Sequence, residues 1–390
     1  MRLSPRLTNL NGGGSDGWEV FYRARQMIAA GQSVIELTIG EHDVRTDPSI
    51  LGAMDASARG GHTGYASVPG IPALRDAVAA RVSAQSGVPT TRDNVLITPG
   101  GQAALFMTHH AACAEGARAL FIDPYYATYP GTIRSVGAVP VPVAARAENG
   151  FLPRPEVIDA AAEGASSLLI NSPNNPTGAV YDRATMEGIA AVCRDRDLWL
   201  ISDEVYDTQV WEGAHLSPRA LPGMSERVLV VGSMSKSHAM TGSRIGWIVG
   251  PAEAISNLIA LSTVTTYGVP GFIQDAALFA LGAGLEEQIA APFRRRRALA
   301  REILGRQNTV GLIPSGGAMY LMLDIRATGM NGLAFAFALL EEEGIAVMPG
   351  ESFGRAAAGH IRVAMTIEDK AFGAALERLC AYTARRAQAA

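Results

Sequence analysis

Between residues 94 and 250, seven short apolar runs, VLIT, ALFID, VPVPV, SLLIN, LWLIS, VLVV and RIGWIVG, alternate with longer alanine-rich stretches. Strands this uniformly apolar are buried on both faces, and the intervals between them are long enough for helices to cover them. The pattern predicts an α/β fold whose centre is a mostly parallel seven-stranded sheet sandwiched by helices. Ligands of such sheets gather beyond the carboxyl ends of the strands. Polar residues fall there: Asn174 and Asn175 after SLLIN, Asp203 after LWLIS, and Ser233 after VLVV.

After about residue 270 the texture changes. Long helical stretches, including GFIQDAALFALGAGLEEQIAAPFRRRRALAREILGR, lead into two strands, AMYLMLDI and HIRVAMT. These read as a smaller α+β unit, and the first 46 residues, which lack the alternation, are expected to pack against it. The expected organisation is a large domain over 47–285 and a small domain built from 1–46 and 286–390. With 390 residues and 48% hydrophobic content, the chain can bury a core for both.

A net charge of -4 gives no broad electrostatic reason for a nucleic acid or anionic membrane partner. The arginine run at 294–297 reads as a solvated helix face. No apolar stretch follows the first arginines and no run of about 18 apolar residues occurs, so neither secretion nor membrane insertion is expected. Cys113, Cys193 and Cys380 are odd in number and widely spaced, which suits reduced thiols in the cytoplasm. His109 and His110 are adjacent and point to different helix faces, so no metal pair is expected. Small-molecule chemistry is the remaining class.

Lys236, in GSMSKSHAMTGSRIG, is one of two lysines, with Lys370 the other; every remaining cationic side chain of the Lys/Arg type is an arginine. Arginine stays protonated, whereas lysine can give up its proton and attack a carbonyl, so a retained lysine points to amine chemistry. Schiff-base chemistry at a carbanion centre needs an electron sink, and pyridoxal phosphate is the standard one. Such a cofactor needs a carboxylate for its ring nitrogen, donors for its phosphate and a flat support for its ring.

Each need has a candidate. Asp203, in SDEVY, sits past an apolar strand, where a buried carboxylate is costly unless it meets a cation. Tyr206 and Asn175 are placed to reach the ring hydroxyl. The run TPGGQAALF turns through two glycines into a helix, aiming the amides of Gly101 and Gln102 at an anion. Ser233, Ser235 and Arg244 suit a dianion, and Tyr126 in PYYATYP offers a ring to stack. Taken singly, SDE is a helix cap, NSPNNPTG a turn and PYYATYP packing.

Together, in this order and with an arginine eight residues after the lysine, these motifs resemble the class I/II aminotransferases, the fold type I family of pyridoxal-phosphate enzymes related to aspartate aminotransferase. The resemblance extends from about Glu36 to Arg362. It implies that Lys236 holds the cofactor covalently and then acts as base and acid of the 1,3-proton shift. It also implies that Asp203 keeps the ring nitrogen protonated, and that Arg362 in HIRVAMT clamps the substrate α-carboxylate opposite the backbone of Gly40. Asn175 would also touch the substrate. A tyrosine in a segment like TGYASVPGIPALR reaches the neighbouring subunit's site in the family, so Tyr65 implies a homodimer. The small domain is expected to close over the substrate. The implied reaction moves the amino group of an L-amino acid, aspartate or an aromatic one, to a 2-oxo acid such as 2-oxoglutarate. Where many relatives read GEPDFPTP this chain reads GEHDVRTDP, which directs attention to Trp18, His42 and Arg45 as shapers of the side-chain pocket.

Other readings are weaker. GESFG at 350–354 has the form of a hydrolase nucleophile elbow, but Asp369 comes after His360 and the order of the triad fails. A non-catalytic aminotransferase-like sensor would need a DNA-binding module ahead of the first strands, where about 45 residues stand. A lyase or decarboxylase on the same cofactor frame differs in which bond lies perpendicular to the ring. An Arg362 that holds a retained carboxylate favours transamination.

Overall fold

The computed structural model describes residues 1–389. The seven apolar runs form the strands β1 (Val95–Thr98), β2 (Arg118–Asp123), β3 (Val139–Ala144), β4 (Ala165–Asn171), β5 (Trp199–Asp203), β6 (Val228–Ser233) and β7 (Gly246–Val249). They make one sheet in the order β1-β7-β6-β5-β4-β2-β3. Strands β2 to β6 run parallel, and β7 alone runs antiparallel to both its neighbours. A parallel return needs a full crossover helix. The link from β6 to β7 holds only the short helix Met234–Ser237 and a single turn, Thr241–Ser243, so the chain doubles back.

Alternation along each strand feeds two cores, one on each face of the sheet. Leu120, Ile122, Leu168, Ile170, Val228 and Val230 pack on one face. Phe121, Leu169, Ile201, Leu229 and Val231 pack on the other. The edge strand β3 is the exception, half-exposed and carrying Pro140 and Pro142, as an edge tolerates.

A second sheet of four antiparallel strands contains β8 (Gly311–Leu312), β9 (Tyr320–Asp324), β10 (Met348–Pro349) and β11 (His360–Ala364), ordered β10-β11-β9-β8. Its core joins Leu321, Val363, Phe293, Phe335 and Phe372 to Val20 and Leu37 from the start of the chain. Ile35–Glu36 also pairs in parallel with Ile345–Ala346. The loop after Leu37 is pinned by the buried Arg296, which contacts Asp43 at 2.6 Å and Asp369 at 2.8 Å. Further upstream the chain leans instead on the helix Tyr129–Ser135 beside the large sheet: the Leu10 carbonyl accepts from Arg134 at 2.9 Å. Among the described residues no helix is long and apolar enough to cross a membrane.

Candidate active site

β4, β5 and β6 end side by side, with Asn171 in register with Asp203, and the helix Gly101–Ala112 starts beside them. Over these ends lies a cavity of about 300 Å³. It is lined by Gly40, Gly101, Gln102, Tyr126, Asn175, Asp203, Tyr206, Ser233, Ser235, Lys236, Arg244 and Arg362. Of the residues expected to hold the cofactor or the substrate carboxylate, Tyr65 stands apart: it is 93% exposed and lies edge-on to Tyr267.

Lys236 rides on the one-turn helix after β6, where the Ser235 amide donates to the Ser233 hydroxyl, the helix cap, at 3.1 Å. Its Nζ donates to the carbonyl of Gly40, from the other side of the cavity. Burial pushes the amine pKa down; Arg362 and Arg244 add to the fall, while Tyr320 and Glu41 oppose it. The result is an amine that loses its proton more readily than a surface lysine, as a nucleophile requires.

Asp203 is 4% exposed, and its carboxylate meets no cation. Its Oδ2 accepts from the Tyr129 hydroxyl at 2.7 Å and its Oδ1 from the Val205 amide at 3.3 Å. Burial pushes the carboxyl up to about 6 despite those two donors. A buried carboxylate facing a cavity in this condition suits a cationic ligand group.

On the opposite wall, the Tyr206 and Tyr320 hydroxyls are 3.0 Å apart. Arg362 is buried at 1% exposure, with its guanidinium carbon 4.4 Å from the Tyr320 ring centre and 4.3 Å from that of Phe353. It donates to Asn175 Oδ1 at 2.8 Å and to the Thr38 carbonyl, while its Nε has no protein partner. A guanidinium steadied by two rings offers a planar fork to a carboxylate.

The remaining end of the cavity is built for an anion. The first-turn amides of the helix Gly101–Ala112 have no intrahelical partners and carry the positive end of its dipole. Gly100 has φ 84°, and a Cβ on it would lie 2.4 Å from Arg244 Nη2, so the turn must be bare for the guanidinium to lie over it. Ser233 and Ser235 complete this end, their hydroxyls 3.0 Å apart. The Gln102 side chain is otherwise engaged: its amide bonds Thr132 at 2.8 Å and Thr128 at 3.0 Å, leaving its backbone for the anion. Among the described residues no group of three or more His, Cys, Asp or Glu is placed to hold a metal ion.

Three contributors escape sequence reasoning: Tyr129, Tyr320 and Phe353. Tyr129 stands three residues after Tyr126, a helical spacing, and the two rings meet edge to face at 5.8 Å. Of the three pocket-shaping residues expected from sequence, Trp18 lines the cavity. His42 is buried against Phe293, their centroids 5.2 Å apart, and Arg45 is exposed outside the cavity.

Comparison with known proteins shows the family and the fold. Arginine–pyruvate transaminase AruH of Pseudomonas aeruginosa is 40% identical over 386 residues, covering 98% of each chain. The aspartate/prephenate aminotransferase of Thermus thermophilus is 36% identical over 363 residues, covering 91% of this chain and 92% of that protein. A solved double mutant of Thermus thermophilus aspartate aminotransferase superposes with a TM-score of 0.92 at 34% identity, covering 98% of this chain and all of that one. Residues 32–379 match the family described as aminotransferase class I and II, and the chain belongs to that family.

Proposed function

We propose that this aminotransferase binds pyridoxal 5'-phosphate over β4 to β6 and moves the amino group of an L-amino acid to a 2-oxo acid as a cytoplasmic homodimer. The observation that carries the cofactor is the buried Asp203 carboxylate without a cation, held in one cavity with a lowered-pKa lysine. When bound, the cofactor supplies an electron sink for a carbanion at the substrate α-carbon.

The chain's own residues do the rest. Asp203 would keep a proton on the ring nitrogen, and Asn175 and Tyr206 would serve the ring oxygen. Tyr126 would support the ring, while Gly101, Gln102, Ser233, Ser235 and Arg244 would hold the phosphate. Arg362 fixes the α-carboxylate against the backbone of Gly40. Lys236 would hold the cofactor's aldehyde carbon, and its amine, whose pKa burial lowers, would serve as the base that takes the proton from the substrate α-carbon and as the acid that delivers it to the carbon that carried the aldehyde. A carboxylate fixed by Arg362 is retained, which favours transamination over decarboxylation. Residues 47–285 would form the cofactor-binding domain, and 1–46 with 286–390 the domain that closes over the substrate, although the stretch around Leu10 rests on the large unit. Tyr65, 93% exposed on one subunit, serves the partner's site. The free cysteines Cys113, Cys193 and Cys380 accord with a reducing compartment.

Charge supports a reading of the donor class. A second cavity of about 960 Å³ adjoins the first through Trp18 and Gln102, and its lining carries Asp16, Glu19 and Glu351 against the single cation Arg134. That balance suits a basic side chain, such as the arginine named for the Pseudomonas relative, better than the second carboxylate of aspartate.

The test is a panel of amino acids with purified holoenzyme, following loss of the cofactor's visible band and formation of the 2-oxo acid. Arginine is expected to exceed aspartate in kcat/KM. Borohydride reduction is expected to leave a pyridoxyl tag on the Lys236 peptide. Release of ammonia or carbon dioxide, or a tag elsewhere, overturns the reading.

A further inference from the structure

Asp123 ends β2 on the large sheet, is 5% exposed, and reaches across to the turn 350–357 of the other unit. Its Oδ2 accepts from the Arg355 amide at 3.1 Å, and its Oδ1 from the Ala356 amide at 3.3 Å. Two residues on, the Tyr125 amide donates to the Phe353 carbonyl at 2.9 Å. The turn is thus tied on both sides of Gly354. A Cβ at Gly354 would lie 2.0 Å from Asp123 Oδ1, and its φ is 116°, so both space and backbone call for glycine there. Phe353, fully buried, packs on the guanidinium of Arg362 at 4.3 Å.

We infer that Asp123 is a positioning residue for substrate binding: it ties the 350–357 turn to the large sheet, which seats Phe353 against Arg362 and holds the guanidinium fork where a substrate carboxylate meets it. This rests on the carboxylate role assigned to Arg362. The chemistry requires an ionised acid, because each oxygen faces an amide N–H and protonation would turn an acceptor into a donor. Burial pushes the Asp123 carboxyl up to about 6, opposed by the Ala356 and Arg355 amides and the Arg355 charge. Tyr125 also faces it, with Arg134 and Arg355 near that phenol. The tie is therefore formed above about pH 6 and loosens below it.

The test uses the holoenzyme. Asp123→Asn keeps the size of the side chain but turns an NH2 group toward an amide N–H. It is expected to raise KM for the donor roughly tenfold, with kcat within about twofold and the bound cofactor's spectrum unchanged. Phe353→Leu is expected to raise KM similarly, and the double variant no further, since one residue acts through the other. Wild-type KM should climb as pH falls through about 6, and Asp123→Asn should lose that climb. Should Asp123→Asn fail to fold, Phe353→Leu and the pH dependence of the wild-type KM are read in its place, and a KM unchanged in both overturns the inference. A folded variant with wild-type KM and pH profile, or KM effects that multiply in the double variant, overturns the inference. Absence of a cofactor band or of turnover in the wild type would instead overturn the proposed function.

Discussion

The hydroxyls of Tyr206 and Tyr320 meet at 3.0 Å, although one follows β5 of the large sheet and the other opens β9 of the second. Burial, then Tyr320, holds the Tyr206 phenol well above its ordinary pKa, so it stays protonated. The pair carries two protons and uses one between its oxygens, which leaves one to point into the cavity. Tyr206→Phe removes that donor. The pH midpoint of the bound cofactor's visible band should move up by about one unit, and kcat/KM should fall roughly tenfold. Tyr320→Phe should act in the same direction but less. An unmoved midpoint in Tyr206→Phe counts against contact with the ring oxygen.

In the proposed carboxylate role, Arg362 would work by shape as well as charge. Lysine at this position keeps the charge but loses the fork, the bond to Asn175 at 2.8 Å and the broad contact with the Tyr320 and Phe353 rings. Arg362→Lys should raise KM for the amino acid about 10- to 100-fold, in line with one or two charge-assisted hydrogen bonds lost. Titration of the apoenzyme with cofactor should give an unchanged Kd. Equal losses for cofactor and amino acid would show that Arg362 shapes the whole cavity rather than the carboxylate site.

The chain discloses Asp203, Ser233 and Asn175 because strands buried on both faces leave chemistry only to their carboxyl ends, and β4 to β6 are such strands. Lys236 stands out by its rarity. Tyr320 is hidden because it lies in the apolar run AMYLMLDI, where a tyrosine reads as packing; only the docking of β9 over the cavity brings it to Tyr206. Tyr129 is hidden by distance, since its partner Asp203 lies 74 residues away in the chain. The reversal of β7 is equally tertiary: RIGWIVG is as apolar as its parallel neighbours, and only the short link after β6 sets its direction. In the departure GEHDVRTDP, periodicity does not sort His42 and Arg45 into core and solvent, and the structure buries the first while exposing the second.

If Asp203 serves the proposed cofactor, its carboxylate sets stability against function. Its folded pKa of about 6 lies above the unfolded carboxyl value, roughly 3.9. Between those values the folded chain binds more protons than the unfolded one. This group's contribution is therefore full below about pH 4 and is lost as pH rises through about 6. At pH 7.5 the cofactor-free protein thus holds a buried charge that costs on the order of 2–3 kcal/mol. Asp203→Asn removes the charge and still offers Tyr129 an oxygen to donate to. The apo variant should melt a few degrees above apo wild type at pH 7.5, with the gap narrowing toward pH 5. With cofactor the order should reverse, because the amide cannot pair with a protonated ring nitrogen, and kcat should fall by about 100-fold or more. Differential scanning calorimetry of both forms at the two pH values measures this directly. If the apo variant melted lower than wild type at pH 7.5, the carboxylate would already be satisfied by Tyr129 and Val205, and a waiting cationic ligand would no longer be needed to explain it.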